Sequence, residues 1–184
     1  MVRDNQQGKP TLIHPAAGQR GMTELHYASY CNDPDGVRAQ LRMGVSADIR
    51  DDNGWTPLHW SIDMSQAWGE PEQVVSLLLG AGASANAVDF SGFSVLMMAC
   101  GRNNESIFEQ LIKSGADIGA KSMSGTTALH EAAWCNFHEA IRCLLLLGAD
   151  PNQVDHRDQT AEQIAEQCGF EEGVSILKAA RLTN

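Results

Sequence analysis

No stretch of the chain strings together the roughly 20 apolar residues that a membrane-spanning helix needs, and no basic segment leads into an apolar stretch long enough for export. Both absences imply a cytoplasmic protein. Positive charge is scarce too: 13 Lys and Arg stand against 23 Asp and Glu, a formal net charge of −10. Such a chain repels phosphate backbones and has no basic stripe, which excludes direct nucleic-acid binding. A basic protein, by contrast, would be steered towards it. The five cysteines, Cys31, Cys100, Cys135, Cys143 and Cys168, are odd in number and lack paired short spacings. They argue against a disulfide framework and for reduced, mostly buried thiols.

Catalytic signatures are missing as well. His130-Glu131 begins H-E-x-x-H, yet Trp134 stands where the second metal-binding histidine must be. Gly80-Ala81-Gly82-Ala83-Ser84-Ala85 has the glycines of a dinucleotide loop but follows a helical pattern, where that loop must follow a strand. No Ser-His-Asp or Cys-His arrangement is legible in the spacing. The chain is therefore expected to be no enzyme and to need no metal or cofactor.

What the chain has is a period. Thr23-Glu24-Leu25-His26, Thr56-Pro57-Leu58-His59, Ser94-Val95-Leu96-Met97 and Thr127-Ala128-Leu129-His130 recur, with a weaker fifth start at Thr160-Ala161, at intervals of 33, 38, 33 and 33 residues. Thr or Ser before an apolar run is a helix N-cap, and Pro57 occupies a position that a helix tolerates in its first turn. Small residues follow at Ala28-Ser29, Ser61-Ile62, Ala99-Cys100 and Ala132-Ala133, which allows close helix approach. A second helix then carries apolar stripes: Val37 and Leu41; Val74, Val75, Leu78 and Leu79; Ile107, Leu111 and Ile112; Ile141, Leu144 and Leu145. Gly44, Gly82, Gly115 and Gly148 close those helices.

A period near 33 with a T-P-L-H-x-A signature resembles the ankyrin repeat, over residues 21–182. Gly21, Gly54, Gly92 and Gly125, two before each start, and Asp51, Asp89 and Asp155, five before, agree in phase. The resemblance implies an all-α solenoid of helix–turn–helix units joined by finger-like β-turns, the units starting near 21, 54, 92, 125 and 158. It also implies that His26, His59 and His130 bond backbone between adjacent fingers. Residues 1–20 are expected to be a flexible start and partial cap, and 21–182 a single domain whose stability is roughly a sum over units and their contacts. In the fourth finger Ser122 replaces Asp and Gly119 the usual Asn or Asp, so a looser finger is expected. In the fifth unit Asp158 replaces Gly and Glu162-Gln163 replace Leu-His, polar changes suited to a terminal cap.

The resemblance further implies a concave binding face, lined by finger tips and by exposed positions of each first helix. Counting from the starts places Tyr27, Tyr30 and Cys31, then Trp60, Asp63 and Met64, then Met98, Gly101 and Arg102, then Glu131, Trp134 and Cys135 on the helices. The finger positions are Met22, Asp52, Asn53, Trp55, Phe90, Ser91, Phe93, Met123, Ser124, His156 and Arg157. Of the 11 aromatics, seven fall on this set: Tyr27, Tyr30, Trp55, Trp60, Phe90, Phe93 and Trp134. Exposed Trp and Tyr mark binding hot spots, and Asp51, Asp52, Asp63, Asp89 and Glu131 rim the stripe with negative charge. The alternative is that Phe90, Phe93 and Trp55 pack along the fingers while Trp60 and Trp134 fill space between first helices. The second unit carries five extra residues around Met64–Pro71, placing Trp68 on a loop that either makes contacts or tucks back against the second helices. The expected function is a non-catalytic module, monomeric when free, that binds one basic protein partner. The specific expectation is a bacterial immunity protein that neutralises a toxin by occlusion. The alternatives are an adaptor or regulatory subunit and, remotely, an enzyme using the concave cleft.

Overall fold

Each recurrent Thr or Ser holds extended backbone, with φ between −82° and −118° at Thr23, Ser94, Thr127 and Thr160, and the chain turns helical at the next residue. A computed structural model describes residues 21–63 and 71–183. The first helices are α1 (Glu24–Tyr30), α3 (Pro57–Asp63), α5 (Val95–Gly101), α7 (Ala128–Trp134) and α9 (Ala161–Cys168). Alternating with them are the second helices α2 (Pro34–Arg42), α4 (Pro71–Gly80), α6 (Glu105–Lys113), α8 (His138–Leu146) and α10 (Glu171–Thr183). Among the described residues there is no strand, only isolated bridges between Val88 and Ser94 and between Val154 and Thr160. The extra residues of the second unit fall between α3 and α4. Met64 and Trp68, like residues 1–20, lie outside the described residues.

The helices stack in two layers: each first helix packs on the next first helix, and each second helix on the next second helix. One unit exposes an apolar flank that the following unit covers, so the core is continuous along the array. First helices are buried on nearly every side; in α5 six residues, Val95 to Cys100, are buried. The stripes of the second helices supply the other half, with Val37, Val74, Val75, Leu78, Ile107, Leu111, Ile141 and Leu144 fully inside. Between the two helices of a unit the chain turns through a left-handed residue, Asn32, Asn103 and Asn136 with φ of 52°, 52° and 56°. Asn tolerates that conformation better than other side chains, and Gly169 (φ 76°) does the same work in the last unit.

The finger roots are tied by the recurrent histidines. The Thr23 N–H donates to His26 Nδ1 at 3.1 Å, which puts the ring proton on Nε2. His26 Nε2 then donates to the carbonyls of Ile49 and Trp55 in the next unit, both at 3.1 Å. His130 repeats this, accepting from the Thr127 N–H at 3.2 Å and donating to the Gln159 carbonyl at 3.1 Å. His59 accepts from the Thr56 N–H at 3.1 Å and faces the Phe93 carbonyl. Its Nε2, however, meets no acceptor in good geometry. Met97 replaces the histidine in the third unit, so its seam to the fourth lacks the imidazole link. In the fifth, Gln163 Oε1 accepts from the Thr160 N–H at 2.9 Å, an amide imitating the imidazole.

Two expectations about the later units are modified. Ser122 Oγ accepts the Thr126 N–H at 3.1 Å, and Ser122 N–H still donates to the Thr126 carbonyl at 3.0 Å. The fourth finger therefore keeps its turn, with one side-chain acceptor bond where Asp supplies two. Glu162 does not face solvent as a cap residue would. It is buried at the position of Leu25, Leu58, Leu96 and Leu129, and Arg181 of α10 answers it at 2.7 Å. With no sixth unit in the described structure to cover that site, α10 reaches over and supplies the counter-charge.

Burial lowers the pKa of His26, His130 and His59, the last to about 4, despite the opposing pull of nearby carbonyls and finger carboxylates. A folded pKa below the unfolded value of 6.5 means that the neutral rings stabilise fully above pH 6.5 and progressively less as pH falls towards 4. Thermal unfolding followed by circular dichroism should show the midpoint dropping across that window. His130→Gln, which copies the arrangement at Gln163, should flatten the drop. A parent midpoint that is constant over the window would mean that these rings ionise freely in the fold.

Candidate protein-binding face

Each aspartate five residues before a start turns its finger by accepting backbone N–H groups. Asp51 Oδ1 takes those of Asn53 and Trp55 at 2.9 and 2.8 Å, and Asp155 Oδ1 those of Arg157 and Gln159 at 2.8 and 3.1 Å. Asp89 Oδ1 takes those of Ser91 and Phe93 and the Ser91 hydroxyl, at 2.8, 2.9 and 2.6 Å. Burial pushes the Asp89 carboxyl up, but its hydrogen bonds outweigh this and hold it below the usual range. Successive fingers are joined by Phe90 N–H to the Asn53 carbonyl (3.2 Å), Met123 N–H to that of Ser91 (2.8 Å) and His156 N–H to that of Ser124 (2.9 Å). Arg50 adds a clamp, donating to the Gly54 and Val88 carbonyls at 2.7 and 2.5 Å. No period announces that clamp, since Val88, Lys121 and Val154 hold the equivalent positions.

This framework draws much of the aromatic stripe inward. Trp60, expected on the open face, is 8% exposed, and its indole N–H donates to Asp51 Oδ2 at 3.1 Å. Trp55 is half-buried, and its N–H reaches Asp89 Oδ2 at 3.3 Å, bridging two fingers. The two indoles meet edge to face at 4.9 Å, with Tyr30 against Trp60 at 5.6 Å and Tyr27 beside Tyr30 at 6.5 Å. Met98 is likewise buried, and Phe93 packs against the core. The reason is helix spacing: α3 and α5 stand so close to their neighbours that Trp60 and Met98, each four residues after its start, are caught between them. Trp60, Met98, Trp55 and Phe93 therefore hold units together. Of the two tryptophans that could fill space between first helices, Trp60 does so and Trp134 does not.

Other predicted residues remain accessible. Phe90, Met123 and Trp134 are 62%, 83% and 59% exposed. Phe90 and Met123 occupy neighbouring finger tips, with Asp52 exposed beside them and His156 and Arg157 on the last finger. Along the first helices the half-buried Tyr27 and Tyr30 lead to Asp63, which is ion-paired with the exposed Arg102 across units. Next come Gly101, then Glu131, Trp134 and Cys135 of α7, whose Sγ donates to the Gly101 carbonyl at 3.1 Å. Burial raises the pKa of Glu131. Among the described residues, no group of three or more His, Cys, Asp or Glu could hold a metal ion, and no helix is long and apolar enough to cross a membrane.

A family model for ankyrin repeats in three copies matches residues 5–89, 64–155 and 96–182. Glycerophosphocholine phosphodiesterase gde1 of Schizosaccharomyces pombe is 38% identical over 78 residues, 42% of this chain and 6% of that protein. E3 ubiquitin-protein ligase KEG of Arabidopsis thaliana is 38% identical over 81 residues, 44% of this chain and 5% of that protein. Inversin-B of Xenopus laevis is 44% identical over 46 residues, 25% of this chain and 5% of that protein. The similarity thus spans less than a tenth of each relative.

The division between tied and open aromatics is measurable. Trp60→Ala should cost about 3–5 kcal/mol, because it opens a cavity and strips Asp51 of a donor. Trp134→Ala should change stability by no more than about 0.5 kcal/mol. Urea unfolding midpoints of the two variants report both, and equal losses would contradict the assignment.

Proposed function

Because the chain belongs to the ankyrin-repeat family, whose members serve as protein-binding modules, we propose that it is a non-catalytic binder of one basic protein partner. The observation that carries this reading is the trio Phe90, Met123 and Trp134, large apolar side chains left open on a scaffold that draws Trp55, Trp60 and Phe93 into its packing. Side chains of this kind have no core to enter and cluster at binding hot spots. The formal net charge of −10 supports a basic partner, since it would speed encounter with one. Asp52 and Glu131 put some of that charge beside the open apolar groups.

The finer proposal is that binding occludes the partner's working surface, as an immunity protein neutralises a toxin. A scaffold with little to deform loses little entropy on binding, which favours tight, blocking association. An adaptor would use the same surface and leave its partner active.

Affinity and activity separate these outcomes. With the partner purified, Trp134→Ala and Phe90→Ala should each weaken binding by about 2 kcal/mol, roughly thirtyfold. Their unfolding midpoints should match the parent's. The partner's activity should vanish in the complex; full activity there would replace inhibition by scaffolding. Unchanged affinity in the Phe90→Ala/Trp134→Ala double variant would sink the proposed face altogether.

A further inference from the structure

Most acidic groups that turn inward are answered. Asp51 takes the Trp60 indole, Asp63 takes Arg102, and Glu162 takes Arg181. Glu131 is the exception: its carboxylate has no hydrogen-bond or ion-pair partner among the described residues, although it is half-buried. It stands four residues after Thr127, where the other units carry Tyr27, Trp60, Met98 and Ile164. An uncompensated carboxylate is a poor choice for such a position on stability grounds. Arg102, next to Gly101 in the chain, is ion-paired with Asp63. The thiols of Cys100 and Cys135, which also face Glu131, bring no positive charge.

The Glu131 carboxylate lies directly against residue 101, which is glycine. A β-carbon at Gly101 would stand 3.0 Å from Glu131 Oε2. Trp134 follows three residues along α7, on the same side of the helix. Its indole stays 59% exposed. A carboxylate lacking a cation, set against Gly101, and an open π face three residues further along thus share one side of α7 and form a notch.

We propose that this notch receives an arginine side chain of the protein partner, its guanidinium stacked on the Trp134 indole and donating N–H groups to the Glu131 carboxylate. The choice of guanidinium over ammonium follows from its flat shape and weak hydration, which suit a stacked, half-buried seat. Two parallel N–H donors match a carboxylate better than a point charge does. The inference rests on the protein-binding reading above and adds the chemistry of one anchor.

The test uses the whole chain and the peptide acetyl-Gly-Arg-Gly-amide, with its citrulline counterpart as the uncharged isostere. The readout is the Trp134 indole N–H resonance, assigned with Trp134→Phe. The arginine peptide should shift that resonance saturably, with a Kd on the order of millimolar. The citrulline peptide, and the arginine peptide on Glu131→Gln, should each bind about tenfold more weakly or worse. Glu131→Gln should also be at least as stable in urea as the parent, because it removes an unpaired charge. A resonance that does not respond, equal binding of the two peptides, or a destabilised Glu131→Gln would each overturn the notch. If the notch fails while Trp134→Ala still loses the partner, the anchor chemistry is wrong and the protein-binding reading stands.

Discussion

Stacking one unit on the next buries the root of each finger, and the backbone N–H and carbonyl groups there must be answered inside the protein. Thr, His and Asp form a relay that does so. The start residue offers its N–H to the imidazole, the imidazole passes a proton donor to the next unit's carbonyl, and the aspartate collects the finger amides. Neutral imidazole is the species this relay requires, since Nδ1 accepts while Nε2 donates. Burial enforces that state by lowering the ring pKa.

The same relay decides which aromatics are free. Asp51 and Asp89, already fixed by backbone donors, have a second oxygen to spare, and the indoles of Trp60 and Trp55 take it. Two of the four tryptophans are thereby drawn into the scaffold. Trp134 stands seven residues after its start, where the second unit has Asp63, and its indole stays exposed; the position equivalent to Trp60 is taken by Glu131.

The helices and their caps were legible from spacing because the repeat imposes one physical solution several times, and the role of the histidines followed from the resemblance to the ankyrin repeat. Three histidines in phase speak louder than one. Single features were less readable. Arg50 has no counterpart in other units, and nothing in the spacing sets His59, whose Nε2 has no bonded acceptor, apart from His26 and His130. The candidate face was legible as a set of positions but not as exposures. Offset from the start gives direction, whereas burial of Trp60 and Met98 depends on how closely α3 and α5 approach their neighbours. Glu162 shows the same limit: a charged residue at a core position is intelligible only once Arg181, 19 residues later, is seen to return to it.

Met97 replaces the histidine where the third unit meets the fourth, and that seam is sealed by apolar packing instead of a proton-bearing ring. In a linear array each seam contributes separately. Acid therefore acts unevenly along the array: it loosens the joints that depend on imidazole and leaves the joint between α5 and α7 to its packing. A chain brought to mild acid would come apart from its flanks and keep a greasy clasp between α5 and α7 at its middle.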